Sequence, residues 1–193
     1  MPFVCLILAS LLLGFAWLSP FHTYPWVTFS SELASFGAAL ALLGALLKQN
    51  IKIPKPQLLM LPLLLIPVFQ WLFGLVPDFS VALLSFSYVF MFWLMMIGGY
   101  NLSSTSENRQ RSMQGLSYIV LSVAFISSLI AIVQWLNLES NFNWVIQLKG
   151  NRPYANFGQP NNLATFLIIG LMGALFLYEK HKASLWLLIP SSL

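Results

Sequence analysis

One guanidinium and five side-chain amides crowd into twelve residues of this chain: Asn151, Arg152, Asn156, Gln159, Asn161 and Asn162. They lie within Lys149–Leu163, which reads Lys-Gly-Asn-Arg-Pro-Tyr-Ala-Asn-Phe-Gly-Gln-Pro-Asn-Asn-Leu. A guanidinium presents a planar fork of donors suited to phosphate, and amides add both donors and acceptors. The apolar run Leu163–Tyr178 follows directly. Asn is a favoured N-cap, so Asn161-Asn162 predict that a helix starts there. A helix start carries unpaired N–H groups and the positive end of the macrodipole, and both favour an anion. Arg152, ten residues before Asn162, adds a full charge. Two readings follow from these residues: an anion-binding loop at a membrane surface, or a loop that caps a helix and does nothing more.

The elements that must position this stretch are apolar. Of 193 residues, 59% are hydrophobic and 7% charged, against about 25% charged in a soluble domain. The chain therefore reads as an all-α, polytopic membrane protein. Aromatic residues make up 15%, and Trp recurs near the ends of apolar runs, as interfacial belts require. The net charge of +4 is dispersed over short loops without a basic stripe, which argues against nucleic acid as a partner. Cys5 is the only cysteine, which excludes an intramolecular disulfide or a cysteine-based metal site. It reads as a small buried or lipid-facing apolar residue.

Six apolar runs predict six full transmembrane helices: Val4–Leu18, Leu33–Leu47, Leu58–Val76, Val81–Tyr100, Met113–Leu136 and Leu163–Tyr178. Val4–Leu18 is short for a span and could be a signal peptide, but it lacks a basic leader and a small-x-small cleavage site. In the second run Gly37, Ala41 and Gly44 recur at helical spacing, which permits close packing in lipid. Pro62 and Pro67 predict a kink in the third. Asn101–Ser112 is polar and reads as a loop, and the longest connection is Asn137–Asn162, where Phe142–Leu148 could lie in the interface. Ala183–Leu193 begins a seventh apolar run that is too short to span, so the chain is expected to continue in a longer protein or to be truncated.

Charge sets the orientation. Even-numbered connections hold Lys48, Lys52, Lys55, Arg109, Arg111, Lys180 and Lys182, whereas odd-numbered ones hold only Lys149 and Arg152. The excess of positive charge faces the cytoplasm. The N-terminus is then cytoplasmic and the loop 137–162 faces outward. Its two cations oppose the topological rule, so a function for them gains weight. His22 and His181 fall on opposite sides and cannot share a site; His22 reads as interfacial packing more readily than as a catalyst. The predicted spans hold no charged residue away from their ends, which argues against ion-coupled transport. No metal-binding, Walker or dinucleotide motif occurs, and no cofactor is expected.

Arg152-Pro-Tyr-Ala-Asn-Phe-Gly-Gln-Pro-Asn-Asn-Leu-Ala164 resembles the signature of bacterial protein O-oligosaccharyltransferases, the pilin-glycosylating relatives of O-antigen ligases. The resemblance covers about thirteen residues; the preceding part is similar in hydropathy and layout. In that family an Arg, a small residue, an aromatic and Gln-Pro-Asn stand on the periplasmic side before a transmembrane helix. The small residue is often Gly there and is Ala155 here, which argues against a positive-φ turn at this point. The resemblance implies residues 1–193 as the N-terminal transmembrane region of a GT-C-like glycosyltransferase fold in the bacterial inner membrane. It implies transfer of an undecaprenyl-diphosphate-linked glycan to a Ser or Thr of a pilin-like protein. Arg152 would pair with the lipid diphosphate, and Asn156, Gln159, Asn161 and Asn162 would shape the loop or donate to it. Tyr154 and Phe157 would pack as aromatic support or contact sugar. The family's catalytic His lies in a large periplasmic loop expected beyond Leu193. The alternatives are an O-antigen ligase or polymerase, a non-enzymatic carrier of lipid-linked glycans, or an inactive fragment.

Overall fold

The computed structural model describes residues 2–21, 26–47 and 50–181. His22, Lys48, Lys182 and the seventh apolar run lie outside them. The described residues are all-helical: α1 (Pro2–Leu18), α2 (Phe29–Leu46), α3 (Lys55–Leu58), α4 (Leu61–Leu72), α5 (Phe79–Leu102), α6 (Ser106–Trp135) and α7 (Pro160–His181), with a 3₁₀ turn at Glu139–Asn141. Five helical stretches among them are long and apolar enough to cross a membrane: Phe29–Leu46, Lys55–Leu72, Phe79–Leu102, Ser106–Trp135 and Pro160–Lys180. The apolar helix Val4–Leu18 is shorter. The protein is thus a multi-pass membrane protein. Its exposed surface is dense in large apolar side chains such as Leu11, Leu72, Phe73, Ile168 and Met172, as a surface solvated by lipid requires.

Three boundaries differ from the hydropathy reading. The third span breaks at Leu59–Met60 between α3 and α4. Pro62 explains this: its ring excludes the carbonyl of the residue four positions earlier, Leu58, from a continuous helix. Pro67 stays inside α4. The polar segment expected as a loop is largely the first two turns of α6, because the Thr105 hydroxyl accepts the Asn108 N–H at 3.1 Å and caps the helix start. In α2 the fully buried small residues are Ala34, Ala38, Ala39 and Ala45, whereas Gly37, Ala41 and Gly44 are half-buried.

The chain forms two compact units. Residues 1–9 and 36–109 make one, and residues 10–35 and 110–193 the other. In the first, Asn101 near the end of α5 is buried. Its side chain accepts the Lys52 N–H at 2.8 Å and donates to the Lys52 carbonyl at 2.9 Å, fastening an irregular segment by both of its main-chain groups. The Trp93 indole donates to the Gln57 carbonyl at 3.1 Å. An apolar groove of about 450 Å³ lies between α4 and α5, lined by Met60, Leu63, Pro67, Tyr88 and Phe92 among others. It offers no carboxylate, imidazole, thiol or amine to a reaction.

The second unit holds the loop of interest. Its core joins Val120, Val123 and Ala124 of α6 to Phe166 of α7, with Trp17 and Leu18 of α1 packed against them. The two long helices approach closely at glycines. A Cβ on Gly170 would collide with the Ala124 methyl, and one on Gly173 would lie 3.3 Å from the Ser117 carbonyl oxygen. Small residues at such spacing let helix backbones meet in lipid, where dispersion carries most of the packing energy. Gly170→Val is therefore expected to push α7 off α6 at a cost of about 1–3 kcal/mol. Protease resistance of the membrane-inserted protein should fall. Gly99→Ala, where a Cβ meets nothing within 4 Å, should leave it unchanged.

Candidate functional site: a loop fastened by two buried amides

The segment between α6 and α7 has little secondary structure, so its main chain must find partners elsewhere. Two side-chain amides supply them. Gln134, in the last turn of α6, is completely buried. Its Nε2 donates to the Ile146 carbonyl at 2.8 Å and to the Ala155 carbonyl at 2.9 Å. Its Oε1 accepts the Tyr154 N–H at 3.0 Å and the Ala155 N–H at 2.8 Å. Asn156 is buried at 4% exposure. Its Nδ2 donates to the carbonyls of Leu18 at 2.8 Å and Trp144 at 3.0 Å, and its Oδ1 accepts the Ile146 N–H at 3.2 Å. Ile146 is thus held by its carbonyl through one amide and by its N–H through the other.

Tyr154 closes the lobe between these anchor points. Its ring is buried, and its hydroxyl donates to the Gln147 carbonyl at 2.7 Å while accepting the Lys149 N–H at 3.0 Å. Gly150 bends the lobe at φ 101°. Arg152 stands in it, exposed. Phe157 is half-buried, with its ring 4.8 Å from that of Phe166. Trp144, outside the lobe, meets Phe21 edge-on at 5.5 Å and Phe15 at 6.2 Å.

Ala155 takes φ 50°, so the expectation that alanine would prevent a positive-φ turn is corrected. The reason is tertiary. One amide, that of Gln134, holds both the N–H and the C=O of Ala155, and the residue is buried beside Ile130 and Leu163. Those contacts offset the local cost of the left-handed region. The helix start also moves. The seventh helix begins at Pro160 and not after Asn162. Proline favours the first helical position because its missing N–H is not needed there. The Gln159 carbonyl accepts the Leu163 N–H at 3.2 Å. Asn161 and Asn162 therefore sit in the first turn, exposed, where main-chain N–H groups lack helical partners. Gln159 is exposed beside them.

The structure thus divides the sequence-derived residues. Arg152, Gln159, Asn161 and Asn162 present polar groups to the outside of the loop; Asn156 and Tyr154 bind its own backbone; Phe157 packs. The sequence alone assigns Gln134 no role. An amide one turn inside a long apolar helix was the available signal. Among the described residues no group of His, Cys, Asp and Glu is placed to hold a metal ion.

Residues 153–178 match the protein glycosylation ligase family. The general O-oligosaccharyltransferase of Acinetobacter baylyi is 52% identical over 190 residues, which is 98% of this chain and 34% of that protein. The ComP-specific O-oligosaccharyltransferase of the same organism is 28% identical over 163 residues, or 79% of this chain and 29% of that protein. No solved structure matches. The chain spans about a third of the length of the curated relatives it matches. Over nearly all of its residues it is therefore similar to an O-oligosaccharyltransferase, and the stretch that matches the protein glycosylation ligase family begins inside the loop that Gln134 and Asn156 fasten.

Proposed function

We propose that this chain is the donor-binding part of a protein O-oligosaccharyltransferase of the bacterial inner membrane. In this reading the N-terminus is cytoplasmic and the loop 137–162 faces outward, as the distribution of Lys and Arg favours. The donor is an undecaprenyl-diphosphate-linked glycan and the acceptor a Ser or Thr of a pilin-like protein. The bond between the sugar's anomeric carbon and the phosphate oxygen breaks, and the diphosphate leaves with the electron pair. A bond from the acceptor oxygen forms, and the acceptor's proton passes to a base. No described residue is assigned as that base.

The observation that carries this reading is an exposed guanidinium on a lobe whose ends are tied down. Arg152 is free of the loop's own bonding network, while Tyr154 and Asn156 are committed to it. Tying the ends fixes the main chain that carries Arg152, and a donor placed in advance stabilises developing leaving-group charge with less reorganisation. Gln159, Asn161 and Asn162 add donors at the helix start, where the macrodipole favours the same charge. A non-enzymatic carrier would use the same diphosphate contact; the 52% identity to a general O-oligosaccharyltransferase favours transfer.

Asn151→Cys, in a background with Cys5 and every other cysteine of the full-length protein replaced by Ser, tests both the sidedness and the ligand. In the full-length protein, a membrane-impermeant maleimide should label residue 151 in spheroplasts. Added donor lipid should slow the labelling, because residue 151 adjoins the guanidinium. Labelling only after the membrane is opened would refute the outward loop, and a rate indifferent to donor lipid would refute the diphosphate site.

A further inference from the structure

We infer that Gln134 is the positioning residue of the donor loop: by gripping Ala155 in the left-handed conformation, it sets where Arg152 stands relative to the start of α7. The inference rests on the donor-site reading above and adds a residue that touches no ligand.

The side-chain amide of Gln has two donor hydrogens and two acceptor lone pairs. Four hydrogen bonds to the main chain of residues 146, 154 and 155 use all of them. Nothing is left over for a diphosphate, so Gln134 acts on the site only through the backbone. Its hold on Ala155 is bidentate, with the N–H on one side and the C=O on the other. A change in either dihedral of Ala155 would pull one of those groups away from the amide. The residue is completely enclosed and lies at φ 50°, a region that an unconstrained alanine rarely enters.

The position of this grip gives it leverage. Arg152 lies three residues before Ala155, inside the lobe that Tyr154 closes on Gln147 and Lys149. Gln159 and the first turn of α7 lie four residues and more beyond it. Ala155 is therefore the hinge between the guanidinium and the helix-start N–H groups, and the two must converge on one diphosphate. Gln134 is carried on a thirty-residue helix, α6, so the hinge is referred to a rigid element and not to another loop.

The test uses the full-length protein in membranes. Gln134→Met keeps the length and removes every hydrogen bond. It is expected to lower the transfer rate per inserted molecule roughly tenfold, short of the hundredfold that follows when a reacting group is misplaced by about 1 Å. Amide exchange at residues 154 and 155 should accelerate. Ala155→Gly, added to Gln134→Met, should restore most of the rate, because glycine enters positive φ without help. A merely structural role for Gln134 would show instead as a lower denaturation temperature with the transfer rate per folded, inserted molecule unchanged. Unaltered transfer in Gln134→Met, or lost transfer without recovery by Ala155→Gly, overturns the inference. In the unaltered protein the 154 and 155 amides should be the slowest to exchange in the loop 137–162, and rapid exchange there overturns it without any variant. Should Arg152→Ala leave transfer intact, the donor-site reading falls, while exchange at these two amides still reports whether Gln134 sets the hinge.

Discussion

Arg152→Ala is expected to reduce glycan transfer by the full-length protein at least about a hundredfold, the scale on which removal of a preorganised charge-stabilising donor acts. The amount of membrane-inserted protein should not change. Arg152 is exposed and takes no part in the network that closes its lobe, so its loss leaves no buried group without a partner. Glycan occupancy of the acceptor, read by mass spectrometry against inserted enzyme, checks both halves of the statement. Arg152→Lys should recover little, because an ammonium is a point charge and cannot reproduce a planar fork across two phosphate oxygens. Full recovery by Lys would mean that charge alone suffices, and the bidentate assignment would have to be dropped.

Asn156→Leu is expected to act in the opposite sense, on folding before chemistry. The substitution strands the Ile146 N–H and the carbonyls of Leu18 and Trp144. These bonds are only partly buried, so water recovers part of what each fully buried unpaired group costs, about 1–3 kcal/mol, and the total is about 1–3 kcal/mol. The inserted protein should denature at a clearly lower temperature in detergent and be cleaved more readily between α6 and α7. Asn156→Asp keeps the acceptor for Ile146 but sets a carboxylate oxygen against the carbonyls of Leu18 and Trp144; at neutral pH it should be no more stable than Asn156→Leu. Residues 152 and 156 are four apart, yet one variant should be stable and inactive and the other unstable. If Asn156→Leu were as stable as the parent but inactive, the amide would be serving a ligand and not the backbone.

Hydropathy made the membrane class and most of the helices legible, because a span must present long apolar stretches to lipid whatever its neighbours do. It placed α7 and the loop before it within a few residues. What it missed are features set by capping and by distant partners. The polar start of α6 carries Glu107, Arg109 and Arg111, which an apolar-run reading assigns to a loop, although Thr105 caps a helix there. The start at Pro160 was hidden behind the stronger N-cap preference of Asn161 and Asn162. Within the site, the exposed Arg152 could be singled out from type alone, since a cation outside a topological rule is conspicuous in one dimension. Gln134 stands out by type near the end of an apolar helix, but its role was not legible, because its partners lie up to 21 residues away. Asn156 reaches Leu18 across 138 residues. Ala155 shows the same limit from the other side: its intrinsic preference is overridden by a bond that no local window contains.

Asn101 and Gln134 do similar work, but the order in which the chain is synthesised separates them. Lys52 precedes Asn101, so the partner of Asn101 is already made when that residue leaves the ribosome. Gln134 must wait for Ala155, made 21 residues later, which at about 5–20 residues per second is a delay of roughly 1–4 s. During that interval α6 enters the bilayer with a bare amide near its end, while the Leu18 carbonyl still awaits Asn156. Emergence of the loop thus completes three helices at once, and a halt after α6 has left the ribosome but before residue 154 has would leave the nascent chain at its least finished point.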